Sequence, residues 1–418
     1  MKKRDVGLDV TRIFAFFSVV CIHSLLYTGF YETPVAGKRM YLLIMLRGIF
    51  NTCIPLFLML SGWLLSGRVI DLEPKGSLRR YVSGCKGLVC TYLLSGCALL
   101  LFMRGFLRMP LPFREAAAYI LRYDEYAWYV NMYLGLYLLM PFLNTLWRGL
   151  SGKSARKKCV LCLLILTALP GLANVYDLRT PGVLLQPWNY TGQTQLVPNW
   201  WTALYPVTFY FLGAYLREHG NVRQMHTGKA LLVLLLSIIV CGAYNIWRSW
   251  NGCFVRSLWN CEGSWQTILC GVPVFLCINS IRFPEPGKQL GRLLGLLSEL
   301  TFSAYLLSWA SDQAVYQALY PRLLSAFGVL ARPISIAASA ALASGLCKRC
   351  FLPFSAEFGK PLLMYDPPRK KTASILFILV FFPTSPFFCA IEERGCCFPQ
   401  KVGIRPFLFH GNVLKYPG

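Results

Sequence analysis

Residues 9–30 read DVTRIFAFFSVVCIHSLLYTGF, and this stretch decides how the rest of the chain is interpreted. It is apolar enough to enter a bilayer, yet it contains Arg12 and His23, eleven residues apart. At 100° per residue the two side chains share one face of a helix, roughly 16 Å apart along its axis. An ionisable residue inside a membrane span is costly and indicates function. His23 is therefore a candidate catalytic residue; the alternative is a buried histidine bonded to a neighbouring helix.

The composition restricts the class of protein. Hydrophobic residues make up 56% of the 418 positions and charged residues only 14%, which predicts an integral protein of the lipid bilayer. The net charge of +24 does not indicate a nucleic-acid partner, because lysine and arginine lie in short loops between apolar runs. Most of the 17 cysteines lie inside apolar segments, and the two CxxC pairs lack nearby histidines, so we predict no metal site.

Ten apolar stretches have the pattern of membrane helices. We predict an all-α fold, a polytopic membrane bundle of about 10 transmembrane helices, with spans near residues 10–30, 41–66, 88–104, 128–147, 159–173, 200–216, 230–247, 265–280, 296–316 and 329–346. The first span lacks a small-residue cleavage site and is predicted to be retained. We divide the chain into a membrane domain, 1–350, and a cytoplasmic tail, 351–418, whose apolar stretch 375–391 is interrupted by prolines.

The distribution of basic residues predicts the orientation. With the N-terminus inside, 25 lysines and arginines lie in internal segments and 11 in external ones. This excess favours a cytoplasmic N-terminus. The longest external segment, 173–199, is poor in charge and combines amides with aromatic residues. Such a loop suits a sugar, whose hydroxyls need hydrogen bonds and whose ring faces stack; an ordinary interfacial loop is the alternative.

Four stretches together resemble the acyltransferase family 3 membrane proteins. They are LDVTRIFAFFSVVCIH at 8–23, IPLFLMLSGWLL at 54–65, AWYVNMYLGLYLLMPFLN at 127–144 and LSELTFSAYLLSWASDQAVY at 297–316. Their order and spacing match over residues 5 to about 350. The chain departs from the family in the fourth stretch, where Ser308, followed by Asp312, replaces a frequent histidine. The basic pair usual before span three is poorly matched, with Arg79, Arg80 and Lys86 as candidates.

The resemblance implies a multi-pass O-acyltransferase of a bacterial plasma (inner) membrane. Its donor would be an acyl-CoA, with acetyl-CoA expected, and its acceptor a hydroxyl of an extracytoplasmic polysaccharide or glycan. The acyl-CoA would be a substrate, so no tightly bound cofactor is expected. A transporter or flippase of glycans or lipid-linked sugars is the alternative, because polar residues within spans suit transport as well. Only the transferase requires an acyl donor.

Acyl transfer to a hydroxyl needs a base for the hydroxyl proton. His23 is the only histidine inside a predicted span, which favours it as the base or as a transient acyl acceptor. Asp312 lies on one stripe of its span with Tyr305, Ser308 and Tyr316; it can orient His23 or be an interfacial residue near the external mouth.

The remaining candidate residues would bind substrates. Arg12, Arg47 and Lys86 are candidates for the acyl-CoA, although Arg12 can pair with Asp9 at i,i+3 and Arg47 can anchor its helix. The candidates for the acceptor are Ser61, Trp128, Tyr129, Tyr133, Tyr305 and Ser308. For Ser61 we favour packing or hydrogen bonding over a nucleophilic role, and the adjacent Gly62 permits close helix approach. For Trp128, Tyr129 and Tyr133 we slightly favour an aromatic belt at the membrane interface over the acceptor entrance.

Overall fold

The computed structural model describes residues 5–69, 77–108, 124–179, 186–189 and 193–358, together with residues 112, 114 and 115. These residues form helices and no β-strand; one isolated bridge joins Pro34 to Cys253. The main helices are α1 (Val6–Tyr27), α2 (Gly37–Phe50), α3 (Cys53–Leu65), α4 (Ser77–Gly105), α5 (Asp124–Gly149), α6 (Gly152–Ala168), α7 (Tyr205–His219), α8 (Thr227–Arg248), α9 (Trp265–Ser280), α10 (Lys288–Asp312), α11 (Tyr320–Phe327) and α12 (Ala331–Phe358).

Helix α1 occupies the centre of the bundle. Its N-terminus is fixed by Asp5, whose carboxylate accepts a hydrogen bond from the backbone N–H of Gly7 at 3.2 Å. This cap satisfies one of the amides that the first helical turn leaves without a partner. The helix then packs against α2, α3, α9, α10 and α12. Its polar side chains are therefore held inside the protein and away from lipid.

Two glycines allow the backbones of α3 and α7 to come into close contact. A Cβ atom added at Gly62 would lie 1.8 Å from the Tyr210 carbonyl oxygen, and one at Gly213 would lie 2.0 Å from that of Met59. The predicted close approach at Gly62 is therefore present. In membrane bundles, small residues let helix backbones approach closely. Van der Waals packing then contributes much of the free energy of helix association.

Five segments of the described residues are long and apolar enough to cross a membrane: Val6–Tyr27, Gly37–Leu65, Tyr81–Gly105, Thr227–Arg248 and Lys288–Leu346. On α8, large apolar side chains such as Leu232, Leu236 and Ile239 are more than half exposed, a surface that suits lipid. The described part of the chain is thus all-helical, and five of its segments have the length and composition of membrane spans.

The expected count of ten spans is not confirmed, although each predicted span contains a helix. The stretch 41–66 is divided between α2 and α3 at Asn51–Thr52, and Pro55 lies in the first turn of α3. The fifth long apolar segment joins the two predicted spans 296–316 and 329–346. Trp265–Ser280 has only 16 residues, fewer than the roughly 20 that a hydrocarbon core requires.

Candidate functional site

The side chains of His23 and Asp312 meet inside the bundle. His23 Nδ1 lies 2.7 Å from Asp312 Oδ2, and the carboxylate of Asp312 is fully buried while the imidazole is 15% exposed. Ser339, on α12, donates a hydrogen bond of 2.6 Å to the other carboxylate oxygen, Oδ1. A carboxylate with no exposed surface thus has a partner at each oxygen, as a buried charge requires.

This contact bears on which imidazole nitrogen carries the proton. An ionised carboxylate only accepts hydrogen bonds, so beside an ionised Asp312 the Nδ1 atom of His23 carries the proton of this contact. In the neutral imidazole the lone pair is then on Nε2, which can accept a proton from a substrate. A carboxylate in this position also stabilises the imidazolium that forms when the proton arrives. The pair has the geometry of a general base with its orienting group.

The backbone changes its winding directly after Asp312. A π-helical segment, Gln313–Leu319, continues α10. Its Tyr316 ring stacks on Tyr27 of α1 with centroids 5.2 Å apart, and Gln313 Nε2 donates to the Tyr27 hydroxyl at 3.1 Å. Such π segments frequently occur at functional sites. Here the segment turns polar and aromatic side chains toward the end of α1 that carries His23.

Arg12 forms a second polar contact between α1 and α10. Its Nη1 donates to Asp9 Oδ1 at 3.3 Å and to Ser298 Oγ at 3.1 Å, and Ser298 in turn donates to Asp9 Oδ1 at 2.8 Å. All three side chains are buried. The structure therefore contains the ion pair between Arg12 and Asp9 that was the alternative interpretation of Arg12. Ser298 bridges the two side chains. The proposed phosphate-binding role of Arg12 stays a prediction.

The two contacts show that α1 and α10 run parallel, because Arg12 meets Ser298 and His23 meets Asp312. Eleven residues separate the contacts on α1 and fourteen on α10, corresponding to about 16 Å and about 21 Å of helix. Tyr305 lies midway on α10, seven residues from each contact. The space beside Tyr305 thus lies between the Arg12 cluster and the histidine–aspartate pair.

A small cavity occupies this space. It has a volume of about 20 Å³, room for about one water molecule. The residues that line it are Arg12, Phe57, Leu60, Ser61, Tyr129, Tyr133, Phe302 and Tyr305. Five of the predicted site residues therefore share one cavity, although they come from four different helices. The Tyr129 ring packs edge-on against Tyr305, with centroids 5.7 Å apart.

The two predicted serines are both hydrogen-bonded within their own helices. Ser61 Oγ donates to the Phe57 carbonyl at 2.9 Å and lies 3.4 Å from the Tyr133 hydroxyl. Ser308 Oγ donates to the Tyr305 carbonyl at 2.7 Å. Such bonds are usual for a serine inside an apolar helix. They agree with the hydrogen-bonding interpretation of Ser61 rather than the nucleophilic one.

The other candidates lie apart from the cavity lining. Trp128 is partly buried, with its ring edge-on to Tyr129. Arg47 is buried in a separate cluster, where its Nε donates to the Tyr31 hydroxyl at 3.1 Å and its guanidinium lies 4.5 Å from the centre of the Phe254 ring. Lys86 is exposed on α4. The structure therefore brings neither Arg47 nor Lys86 together with Arg12.

Sequence reasoning did not identify Ser298, Ser339, Phe57 and Phe302 as site residues. A signal for Ser339 exists: Ser335 and Ser339 are one turn apart in the apolar sequence SIAASAALAS, so they share a face. Serines on one face of an apolar helix predict a polar contact with another helix. The sequence does not reveal that the partner is Asp312.

In the loop 173–199, the side chain of Asn174 forms hydrogen bonds to other residues of the same loop. Its Nδ2 donates to the Val197 carbonyl at 2.6 Å, and its Oδ1 accepts from the backbone amides of Leu196 and Val197 at 2.8 and 3.0 Å. Residues 180–185 and 190–192 lie outside the described part of the chain, as does the predicted apolar stretch 375–391. The sugar-binding interpretation of this loop stays a prediction.

Comparison with known protein families identifies a match that covers most of the chain. A family model described as an acyltransferase domain matches residues 5–347. No curated protein and no solved structure matches the chain. The matched range contains α1 to α11, most of α12, both α1–α10 contacts and the cavity between them.

Proposed function

Since the chain belongs to the acyltransferase family 3, whose model covers residues 5–347, we propose that it transfers an acyl group from an acyl-CoA to a hydroxyl of a glycan. The observation that carries the proposal is the buried pair of His23 and Asp312, with 2.7 Å between Nδ1 and Oδ2. A transferase to hydroxyls needs a base of this kind. Its location inside a membrane bundle fits an acceptor that approaches from one face and a donor from the other.

The reaction follows from the orientation of His23. The hydroxyl oxygen of the acceptor attacks the thioester carbonyl carbon while Nε2 of His23 takes the hydroxyl proton. The new carbon–oxygen bond forms, the carbon–sulfur bond breaks, and the proton passes from Nε2 to the leaving thiolate. Asp312 remains ionised and holds the imidazole in the required tautomer. The products are an ester of the acceptor and free coenzyme A.

The cavity beside Tyr305 supports acetyl as the transferred group. Tyr305 lies midway between the two α1–α10 contacts, so an acyl group that moves from the Arg12 end toward His23 would pass beside this cavity. At about 20 Å³ the cavity holds about one water molecule, which favours the smallest acyl group over a longer chain. A longer chain would have to displace Phe57 or Phe302 from a packed aromatic wall, which is costly.

The charge distribution supports a cytoplasmic donor. With the N-terminus inside, Arg12 lies near the cytoplasmic end of α1, where acetyl-CoA would be available, and His23 lies toward the other face. We therefore place the protein in the plasma (inner) membrane of a bacterium, with a surface polysaccharide or glycan as the acceptor. Arg12 would then attract a phosphate of the donor, while Ser298 and Asp9 fix its orientation.

The test is the ester content of the host's surface polysaccharide. We expect acyl groups that mild alkali releases to disappear when the gene is deleted and to return when the full chain is expressed. Mass spectrometry then gives the mass of the acyl group, expected to be that of acetyl. A transporter or flippase would change the amount of exported glycan and leave its acylation per repeat unchanged. That result would refute the acyltransferase proposal.

A further inference from the structure

Arg332 is placed where α12 begins and α1 ends. Its Nη2 donates to the carbonyl oxygen of Thr28, the C-cap residue of α1, at 3.0 Å. Its Nε and Nη1 atoms are buried and have no hydrogen-bond partner. A cation at a helix C-terminus is favourable, and one donor suffices for the Thr28 contact. Two buried donors of a charged group remain unexplained by that capping role.

The surroundings of Arg332 do not neutralise its charge. Its titratable and charged neighbours are Tyr316, the second arginine Arg39, and Tyr320, whose hydroxyl also interacts with the guanidinium as a hydrogen-bonding group. No carboxylate of the described residues lies within ion-pair distance of it. The Arg332 side chain is half-buried, and a guanidinium without a carboxylate partner favours an anion that arrives from outside the chain.

A row of polar side chains leads from Arg332 to the catalytic pair. Ser335 and Ser339 follow at i+3 and i+7, on the same face of α12, and both are fully buried. The Ser335 hydroxyl has no hydrogen-bond partner, whereas Ser339 donates to Asp312. Seven residues of helix place Arg332 about 10 Å from the Asp312 contact. A sugar unit held by its anionic group at Arg332 can therefore place a hydroxyl near His23.

We propose that Arg332 and Ser335 form a binding site for an oxyanion of the acceptor, a carboxylate or phosphodiester on the sugar chain near the hydroxyl that is acylated. This inference deepens the proposed function and rests on it for the identification of the bound molecule as the acceptor. The guanidinium offers its Nε–H and Nη1–H groups, which lie on opposite sides of it, as separate charge-assisted donors to oxygens of the ligand. The unpartnered Ser335 hydroxyl offers a hydrogen bond to the same ligand.

The test measures binding of radiolabelled glucuronate and glucose to the full chain in phosphatidylcholine nanodiscs. We expect saturable binding of glucuronate in the millimolar range and much weaker binding of glucose. Arg332→Gln should weaken glucuronate binding about ten- to hundredfold, because it removes a charge-assisted hydrogen bond. It retains a donor for the Thr28 carbonyl, so the fold should persist; gel filtration checks this. Arg332→Lys should retain part of the affinity.

A matched control distinguishes this site from surface charge. Arg322→Gln removes an exposed arginine ten positions earlier and should leave glucuronate binding unchanged. Ser335→Ala should weaken binding less than Arg332→Gln. Equal binding of glucose and glucuronate, no saturable glucuronate binding, or unchanged binding in a folded Arg332→Gln protein would overturn the proposal.

The source of the anion is tested separately. If phosphatidylglycerol in the nanodisc displaces glucuronate competitively, the site holds a lipid headgroup, and its assignment to the acceptor is wrong. The binding assay contains no acyl donor. Failure of acyl transfer in the ester measurement and failure of anion binding are therefore independent results.

Discussion

Replacing Asp312 by asparagine tests how the buried carboxylate acts on His23. The change keeps the size of the side chain and removes the charge. Ser339 donates to Oδ1, so the retained oxygen is held there and the new amide group faces His23 Nδ1. An amide N–H can only donate, which forces Nδ1 to accept and moves the imidazole proton to Nε2. Nε2 of His23 would then already carry a proton, so it could not accept one from the acceptor hydroxyl.

The expected loss follows from that wrong tautomer. General-base catalysis raises a reaction rate about 10²–10⁴-fold. In a serine–histidine–aspartate triad, the wrong histidine tautomer lowers the rate by up to about 10⁴-fold. We therefore predict that Asp312→Asn lowers the rate of acetyl transfer by about 10²–10⁴-fold. The assay follows labelled acetyl from acetyl-CoA into alkali-labile ester on membrane vesicles that contain the native glycan. Membrane abundance and gel-filtration profile should match the unaltered protein.

A second substitution makes this test more specific. In Asp312→Asn combined with Ser339→Ala, nothing fixes the amide, which can rotate and present its oxygen to Nδ1. The double variant should therefore regain part of the rate that the single variant loses. Ser344→Ala is the matched control, because Ser344 donates only to the Ala340 carbonyl of its own helix. The reasoning is refuted if the Asp312→Asn protein is folded and retains a rate within a factor of a few of the original.

Two further predictions concern packing and the donor. Gly62→Ala should strongly reduce the yield of folded protein in gel filtration, because a Cβ there would meet the Tyr210 carbonyl at 1.8 Å, whereas Gly48→Ala has nothing within 4 Å and should be tolerated. Equal yields would contradict the packing account. Arg12→Gln should raise the KM for acetyl-CoA about ten- to hundredfold, while Arg47→Gln should leave it nearly unchanged; the reverse order would place the donor elsewhere.

Helical periodicity made part of the site predictable. Arg12 and His23 share a face of α1, and Tyr305 and Asp312 share a face of α10, so each stripe could be predicted from spacing alone. Spacing says which side chains point in one direction. It does not say which stripe of another helix they meet, so the Ser298 and Ser339 contacts were not predicted.

The division of 41–66 into two helices has a local signal as well as a long-range contact. Hydropathy is continuous through this stretch, but Pro55 has no N–H for the Asn51 carbonyl four residues earlier, and α2 ends at Phe50. The Asn51 side chain donates to the Asn260 carbonyl at 3.1 Å. Asn260 lies more than 200 residues away, so the sequence near Asn51 carries no trace of this contact. The break could therefore be predicted from Pro55, whereas the contact of Asn51 with Asn260 could not.

The central claim, that His23 is the base of an acyl transfer, is tested most directly by acetyl transfer in His23 variants. The measurement is the rate at which labelled acetyl from acetyl-CoA enters alkali-labile ester in vesicles that contain equal amounts of folded protein. His23→Ala and His23→Gln should each lower this rate by about 10²–10⁴-fold or more, because glutamine keeps much of the size and hydrogen bonding but cannot accept the proton. A folded His23→Gln protein that acetylates at the original rate would show that His23 is structural. Persistent acetylation by His23→Ala would contradict the mechanism.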